Sequence, residues 1–257
     1  MQGDGSGIQD DGYRIVSSYQ MREELRSMPE RDIDLVTRIP SLDDAIEGFK
    51  SGELIVISGP TKNGKTLLAQ SLTAEFTKQN VFPLWFSYEV MPRYFLASFP
   101  ELPLFYLPRK LRSTNVGWVR GKIIESHEKY KTRVIFIDHL HYLFDMARVR
   151  NPSIEIGTVI RQLKSLAVEH ELVIFLLCHT RKGASELKDL SYESIRDSSF
   201  VSQESDCVLM ISRNVKDPES CEAMLRVEFH RRTGILNRTI KLKKIDGYLR
   251  ELSREGS

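Results

Sequence analysis

Five short apolar runs constrain the fold most: ELIVIS (53–58), FPLWFS (82–87), RVIFID (133–138), LVIFLL (172–177) and CVLMIS (207–212). Each is continuous rather than alternating and rich in β-branched or aromatic residues, the pattern of strands buried on both faces of a parallel sheet. Parallel strands need crossovers, and the stretches 66–79, 114–129 and 153–169 between the runs have helical character. The last part changes pattern. AMLRVEFH and NRTIKLKKIDGYLREL alternate apolar with polar residues, which predicts antiparallel strands with one wet face. There is no internal repeat. The expectation is one α/β domain over about residues 31–253, with a mostly parallel central sheet flanked by helices and antiparallel C-terminal strands. A chain of 257 residues suits one core of this size.

Ahead of that domain, residues 1–12 (MQGDGSGIQDDG) have almost nothing to bury and read as a disordered tail. Residues 13–30 read as an arm with a helix over 18–28, where Met21, Leu25 and Met28 recur at helical spacing before Pro29. PSLDDAIEGF opens the next helix, with Ser41 as the expected N-cap and Asp44 in the capping position. Residues 254–257 read as a second tail.

The formal charge is only +2, so a nucleic-acid partner would be held by a local cluster of Lys and Arg rather than by the overall field. Cys178, Cys207 and Cys221 fit no zinc spacing, and the first two lie in apolar runs as small buried thiols do, which suggests a reducing compartment. No apolar run approaches the roughly 18 residues of a membrane span, and the polar, acidic N-terminus is unlike a signal peptide. A cytoplasmic protein without membrane contact is the expectation.

Chemistry enters with GPTKNGKT, residues Gly59, Pro60, Thr61, Lys62, Asn63, Gly64, Lys65 and Thr66. It meets the GxxxxGKT pattern between a strand and a helix, the context in which the pattern has a mechanism. Glycines let backbone N–H groups approach phosphates and the helix N-terminus adds its positive end. Lys65 reaches the terminal phosphates, and the Thr66 hydroxyl can bind Mg²⁺. A phosphate-bearing ligand with Mg²⁺ is therefore expected. Asp138 ends the third apolar run, where a carboxylate can hold the magnesium shell. Glu89 follows the second run and, at the same sheet edge, can orient or deprotonate an attacking water. His179 follows the fourth. It fits either a γ-phosphate sensor or an ordinary structural imidazole.

Together these motifs resemble the RecA-like ATPase domain of the DnaB-type replicative helicases, including the Twinkle-like branch. The resemblance runs from RIPSLDDAIEGFKSGELIVISGPTKNGKT to HRRTG. FSYEVM resembles the family's glutamate motif, VIFIDHLHYL its metal-binding strand, and IRDSSFVSQESDCVLMI the segment in which a glutamine, here Gln203, senses nucleotide. HTRK is closest to the Twinkle-like branch; DnaB proteins usually carry Gln at the position of His179.

The resemblance implies a hexameric ring with ATP between neighbours, each site completed by an arginine finger from the next subunit. Arg231 in VEFHRRTG matches that finger, and Arg232 is its rival. Phe229 stands where the family usually has lysine. The resemblance also implies single-stranded DNA as partner, contacted by loops facing the ring's centre. The matching segments are DMARVRNPS, with Arg148 and Arg150, and RKGASELKDLSYESIR, with Arg181, Lys182 and Lys188; each is also readable as a solvated charged turn. LPRKLR, residues 107–112, reads as a basic surface turn. The helix at 18–28 resembles the linker that clasps a neighbouring subunit, or is a simple arm. The main rival is a KaiC- or RadA-like regulatory ATPase of the same fold that unwinds nothing. A small-molecule P-loop kinase ranks behind it, because no arginine-rich lid is evident.

Overall fold

The computed structural model describes residues 15–27, 33–144, 152–180, 198–213 and 221–252. The chain divides into two units, Met1–Asp32 and Ile33–Ser257. The expected tails at 1–12 and 254–257, and Met28, lie outside the described residues.

In the first unit, helix α1 spans Ser18–Ser27. Its start is a reciprocal cap: Ser17 Oγ accepts from the Gln20 N–H at 3.2 Å, and Gln20 Oε1 accepts from the Ser17 N–H at 3.0 Å. None of its residues is buried, Met21 and Leu25 included.

In the second unit, β1 (Asp34–Leu35) and β2 (Phe49–Lys50) pair around α2 (Pro40–Ile46). The expected Ser41 cap is not there. Ile39 holds the N-cap position, and Pro40 opens the helix with a φ that its ring pre-sets. Ser41 lies within the first turn and turns its hydroxyl to Glu251 instead. It is Asp43, not Asp44, that reaches back, accepting from the N–H groups of Thr37 and Arg38 at 2.7 and 3.0 Å.

The chain then runs β3 (Leu54–Gly59), α3 (Lys65–Lys78), β4 (Leu84–Ser87), α4 (Pro92–Ala97), α5 (Val116–Tyr130), β5 (Val134–Asp138), a short 3₁₀ turn, α6 (Pro152–Glu169) and β6 (Val173–His179). It ends with α7 (Ser198–Glu204), β7 (Cys207–Arg213), β8 (Glu222–His230), β9 (Leu236–Ile245) and β10 (Tyr248–Glu251). Among the described residues, one eight-stranded sheet has the order β10-β9-β8-β7-β3-β6-β5-β4. The five strands from β7 to β4 are parallel, and β8, β9 and β10 join antiparallel.

The continuous apolar runs follow from having a core on each face. Alternate residues of each parallel strand go to opposite sides: Ile55, Ile57, Phe136 and Phe175 to one cluster, Val56, Ile135, Ile137 and Ile174 to the other. On the first side Trp85, Phe136 and Phe175 stack in series, with centroids 4.6 Å apart at each step. On the second, Val119 and Ile123 of α5 and Ile156 and Ile160 of α6 close the layer. Cys178 and Cys207 are buried, one in each cluster, and burial pushes the Cys178 thiol up to about 12. The β9–β10 hairpin turns at Asp246 and Gly247, both at positive φ (49° and 84°), as an Asp-Gly two-residue turn requires. No helix among the described residues is long and apolar enough to cross a membrane.

Candidate nucleotide-binding site

Strand β3 lies between β6 and β7, parallel to both, so the carboxyl ends of β3, β4, β5, β6 and β7 emerge at one edge. Open parallel sheets bind ligands there, where the strand order reverses. Gly59 ends β3 at φ 154°, and a Cβ on it would sit 2.0 Å from the carbonyl oxygen of Ile211. Only glycine lets the loop leave the sheet that close to β7. Gly64, at φ 95°, then turns the chain into α3. Asn63 laces the loop to the end of β7, its Oδ1 accepting from the Arg213 N–H at 2.8 Å. The result is a loop of backbone groups at the N-terminus of a 14-residue helix.

Lys65 curls over this loop. Its Nζ donates to the carbonyl oxygens of Gly59 and Pro60, both at 2.9 Å, and the side chain is buried. Burial lowers its pKa, against the opposing pull of Asp138 and Glu89. Thr66 Oγ1 donates to Asp138 Oδ2 at 2.8 Å, and Asp138 is 1% exposed. Burial raises the Asp138 carboxyl; the Thr66 hydrogen bond opposes that rise and the neighbouring Glu89 charge adds to it. A hydroxyl and a carboxylate side by side next to a phosphate cradle are the oxygen donors a hard cation such as Mg²⁺ takes, so these residues fit the expected metal.

Glu89 lies two residues beyond β4, with its side chain 33% exposed. His179 Nε2 donates to its Oε1 at 2.8 Å, and His139 Nδ1 lies 3.0 Å from the same oxygen. These imidazoles, His139 first and then His179, hold the Glu89 carboxyl well below the usual carboxylate range despite its burial. The sequence motifs assign His139 no role. The signal that could have found it is its place immediately after the strand-ending Asp138, which puts it at the same edge. The turn at 107–111 is also nearer the site than a plain surface turn: it lines a cleft of about 480 Å³ together with Glu89 and Tyr88.

Gln203 and Arg231 are brought to each other. The Arg231 guanidinium donates to the backbone carbonyls of Gln203 (2.7 Å) and Ser205 (3.1 Å), at the end of α7, while both residues remain exposed. Cations suit the last carbonyls of a helix. Arg232 has different partners: Glu53, Glu47 and the carbonyls of Ile46 and Gly48, at 2.6–3.1 Å. That network ties β8 to the α2–β2 turn. Phe229 packs against the second apolar cluster. Arg148, Arg150, Arg181, Lys182 and Lys188 lie outside the described residues.

The family model "DnaB-like helicase C terminal domain" matches residues 104–249, more than half of the chain. Asp138, His179, Gln203 and Arg231 fall within that stretch, and the phosphate loop precedes it. The chain is 27% identical over 219 residues to the replicative DNA helicase DnaB of Mycoplasma pneumoniae, covering 70% of the chain and 46% of that protein. It is 23% identical to the replicative DNA helicase DnaB of Leifsonia xyli subsp. xyli, over 76% of the chain and 51% of that protein. The chain thus spans about half the length of these relatives. Among solved structures, the ATPase domain of G40P superposes with a TM-score of 0.75 at 18% identity, covering 91% of this chain and 97% of that one. A DnaB-like replicative helicase, solved in a study of its interactions with primase, gives the same score and identity over 91% of this chain and 67% of its own. The fold is the RecA-like one of these ATPase domains, and the chain belongs to the family of DnaB-like helicase C-terminal domains.

Proposed function

We propose that the chain is an ATP-hydrolysing motor domain that works as a ring of copies, a hexamer by family resemblance, and moves on single-stranded DNA in replication. The observation that carries this reading is the convergence of Lys65, Thr66, Asp138 and Glu89 at the one sheet edge where β3 meets its two parallel neighbours. The phosphate loop and Lys65 bind the phosphates. Lys65 exchanges its two loop carbonyls for phosphate oxygens, which removes the cost of a buried, carbonyl-bound ammonium. Thr66 and Asp138 would hold Mg²⁺, which supplies charge neutralisation of the phosphates when bound. Glu89, once released by the imidazoles, orients the attacking water or takes its proton. His179 and Gln203 register the γ-phosphate. Arg231 supplies a cation to the neighbouring copy's site by giving up the carbonyls of Gln203 and Ser205; Arg232 would have to leave two carboxylates and two carbonyls to do the same.

Arg148, Arg150, Arg181, Lys182 and Lys188 contact the DNA backbone without reading sequence, which suits a translocating motor. A motor of this kind works where chromosomal or plasmid DNA is, in the cytoplasm. The relatives named replicative DNA helicases support the assignment. The test is unwinding of a forked duplex with and without ATP, alongside ATP turnover with and without single-stranded DNA. Unwinding with ATP alone supports the motor. Turnover that ignores DNA, with no unwinding, contradicts it and leaves a regulatory ATPase.

A further inference from the structure

We propose that Glu89, His139 and His179 form a binding site for a divalent transition metal of the Zn²⁺ class, separate from the Mg²⁺ position at Thr66 and Asp138, where a bound ion withholds Glu89 from catalysis. The three residues follow or end the adjacent strands β4, β5 and β6, and each offers one donor atom, all within 4.8 Å of one another. Glu89 Oε1 is 2.8 Å from His179 Nε2 and 3.0 Å from His139 Nδ1. Donors around a tetrahedral zinc with arms of about 2.0–2.1 Å stand roughly 3.3 Å apart. An ion therefore enters by widening these two gaps by about half an ångström or less, while the two imidazole nitrogens, within 4.8 Å of each other, settle to the same spacing.

A second observation points the same way. The His139 side chain is only 10% exposed, and its Nδ1 is buried without a hydrogen-bond partner although Oε1 is so near. The contact is close but misaligned for a hydrogen bond, and buried polar nitrogens are rarely left so. Coordination by the ring lone pair would satisfy this atom. The His139 and His179 rings meet edge to face with centroids 4.5 Å apart, as two ligands converging on one point do. Asp138 adds negative charge beside the trio and Lys65 opposes it. Two imidazoles and a carboxylate prefer Zn²⁺, Co²⁺, Ni²⁺ or Cu²⁺ to Mg²⁺, and three protein ligands leave one position open.

The binding claim is tested without nucleotide, so it stands or falls independently of the motor reading. Co²⁺ is titrated into the whole chain and its visible d–d bands are followed. The expected result is one equivalent bound, displaced by Zn²⁺ but not by excess Mg²⁺, and retained in Lys65→Ala. His139→Gln and His179→Gln should each weaken binding by about tenfold or more, since even loss of a group that only orients a ligand costs about 10- to 100-fold. Circular dichroism checks that the buried His139 variant folds, and the more accessible His179 variant carries the test if it does not. Absence of bands, or bands unchanged in the His179 variant, overturns the site. In a separate arm, Zn²⁺ added to the Mg²⁺-supported reaction should stop ATP turnover and a zinc-selective chelator restore it. Turnover indifferent to Zn²⁺ under conditions where Co²⁺ binds would overturn the inhibitory role.

Discussion

Nε2 of His179 stands 2.8 Å from Oε1 of Glu89, although 90 positions separate the two residues in the chain. The parallel sheet brings them together, because β6 and β4 both end at the phosphate-loop edge with β5 between them. The glutamate proposed to act on water is thus held between two imidazoles. Its activation requires leaving at least one of them.

Glu89→Gln keeps the shape of the side chain and removes the carboxylate. ATP binding should remain near wild type while turnover falls by about 10²- to 10⁴-fold, the range for loss of a general base. Fluorescent-nucleotide titration and phosphate release separate the two effects. Surviving turnover would make Glu89 a structural partner of the two histidines.

Lys65→Ala should abolish turnover and leave the nucleotide-free fold intact. The lysine is buried and its ammonium is disfavoured by desolvation, which offsets the loss of its two bonds to loop carbonyls, so its removal should shift the melting temperature little. Thermal melting without nucleotide, set beside turnover, checks both statements. A large loss of stability would mean that the bonds to Gly59 and Pro60 hold the loop together.

Two glycines should behave oppositely. Gly59→Ala drives a Cβ into the Ile211 carbonyl at a φ that L residues rarely adopt, at a cost of about 2–5 kcal/mol from overpacking and backbone strain. A Cβ added at Gly121, within α5, would meet nothing within 4 Å, so Gly121→Ala should add about 0.5–1 kcal/mol. Chemical denaturation of the pair reads both signs.

The sheet and the phosphate loop are legible in the sequence because their causes are local. Continuous apolar runs follow from burial on two faces, and GPTKNGKT carries its own turn chemistry. Helix α5, expected over 114–129, is found at Val116–Tyr130, where Asn115 accepts from the Trp118 N–H. What the sequence does not show depends on residues distant in the chain. Ser41 has the local pattern of a cap, but Glu251, 210 residues on, takes its hydroxyl. Arg231 and Arg232 are neighbours of one chemistry, and only the folded positions of Glu53, Glu47 and the end of α7 give one guanidinium two carboxylate partners and the other backbone carbonyls alone. The place of His139 after Asp138 puts it at the right sheet edge, but nothing in IDHL says that Glu89 will stand 3.0 Å away.

The Glu53 network should appear in acid. His230 Nε2 and Arg232 Nε lie 3.3 and 3.1 Å from Glu53 Oε1, and these partners hold its carboxyl below the ordinary value of 4.5 despite burial. The stability it supplies is therefore complete above 4.5 and is lost as the pH falls through the lower folded-state value. Glu53→Gln should cost about 1–3 kcal/mol at neutral pH, from a charged hydrogen bond lost in a buried site, and should show a shallower loss of stability below pH 4.5 than wild type. Denaturation midpoints across that range measure it. Parallel curves for the two proteins would remove Glu53 from the acid response.

The central claim is that ATP is hydrolysed between copies, with Arg231 acting on a neighbour's phosphate loop. A finger of this kind is worth about 10³ to 10⁵ in rate, mainly through charge that develops in the transition state. Arg231→Ala should therefore lose turnover while keeping most of its nucleotide affinity. The most direct measurement is turnover in mixtures of Arg231→Ala with Lys65→Ala, under conditions where mass analysis shows joint oligomers. Activity above that of either variant alone is the predicted result, because some interfaces then pair an intact phosphate loop with an intact finger. Joint oligomers with no recovered activity, or a protein that hydrolyses ATP as a strict monomer, would contradict it.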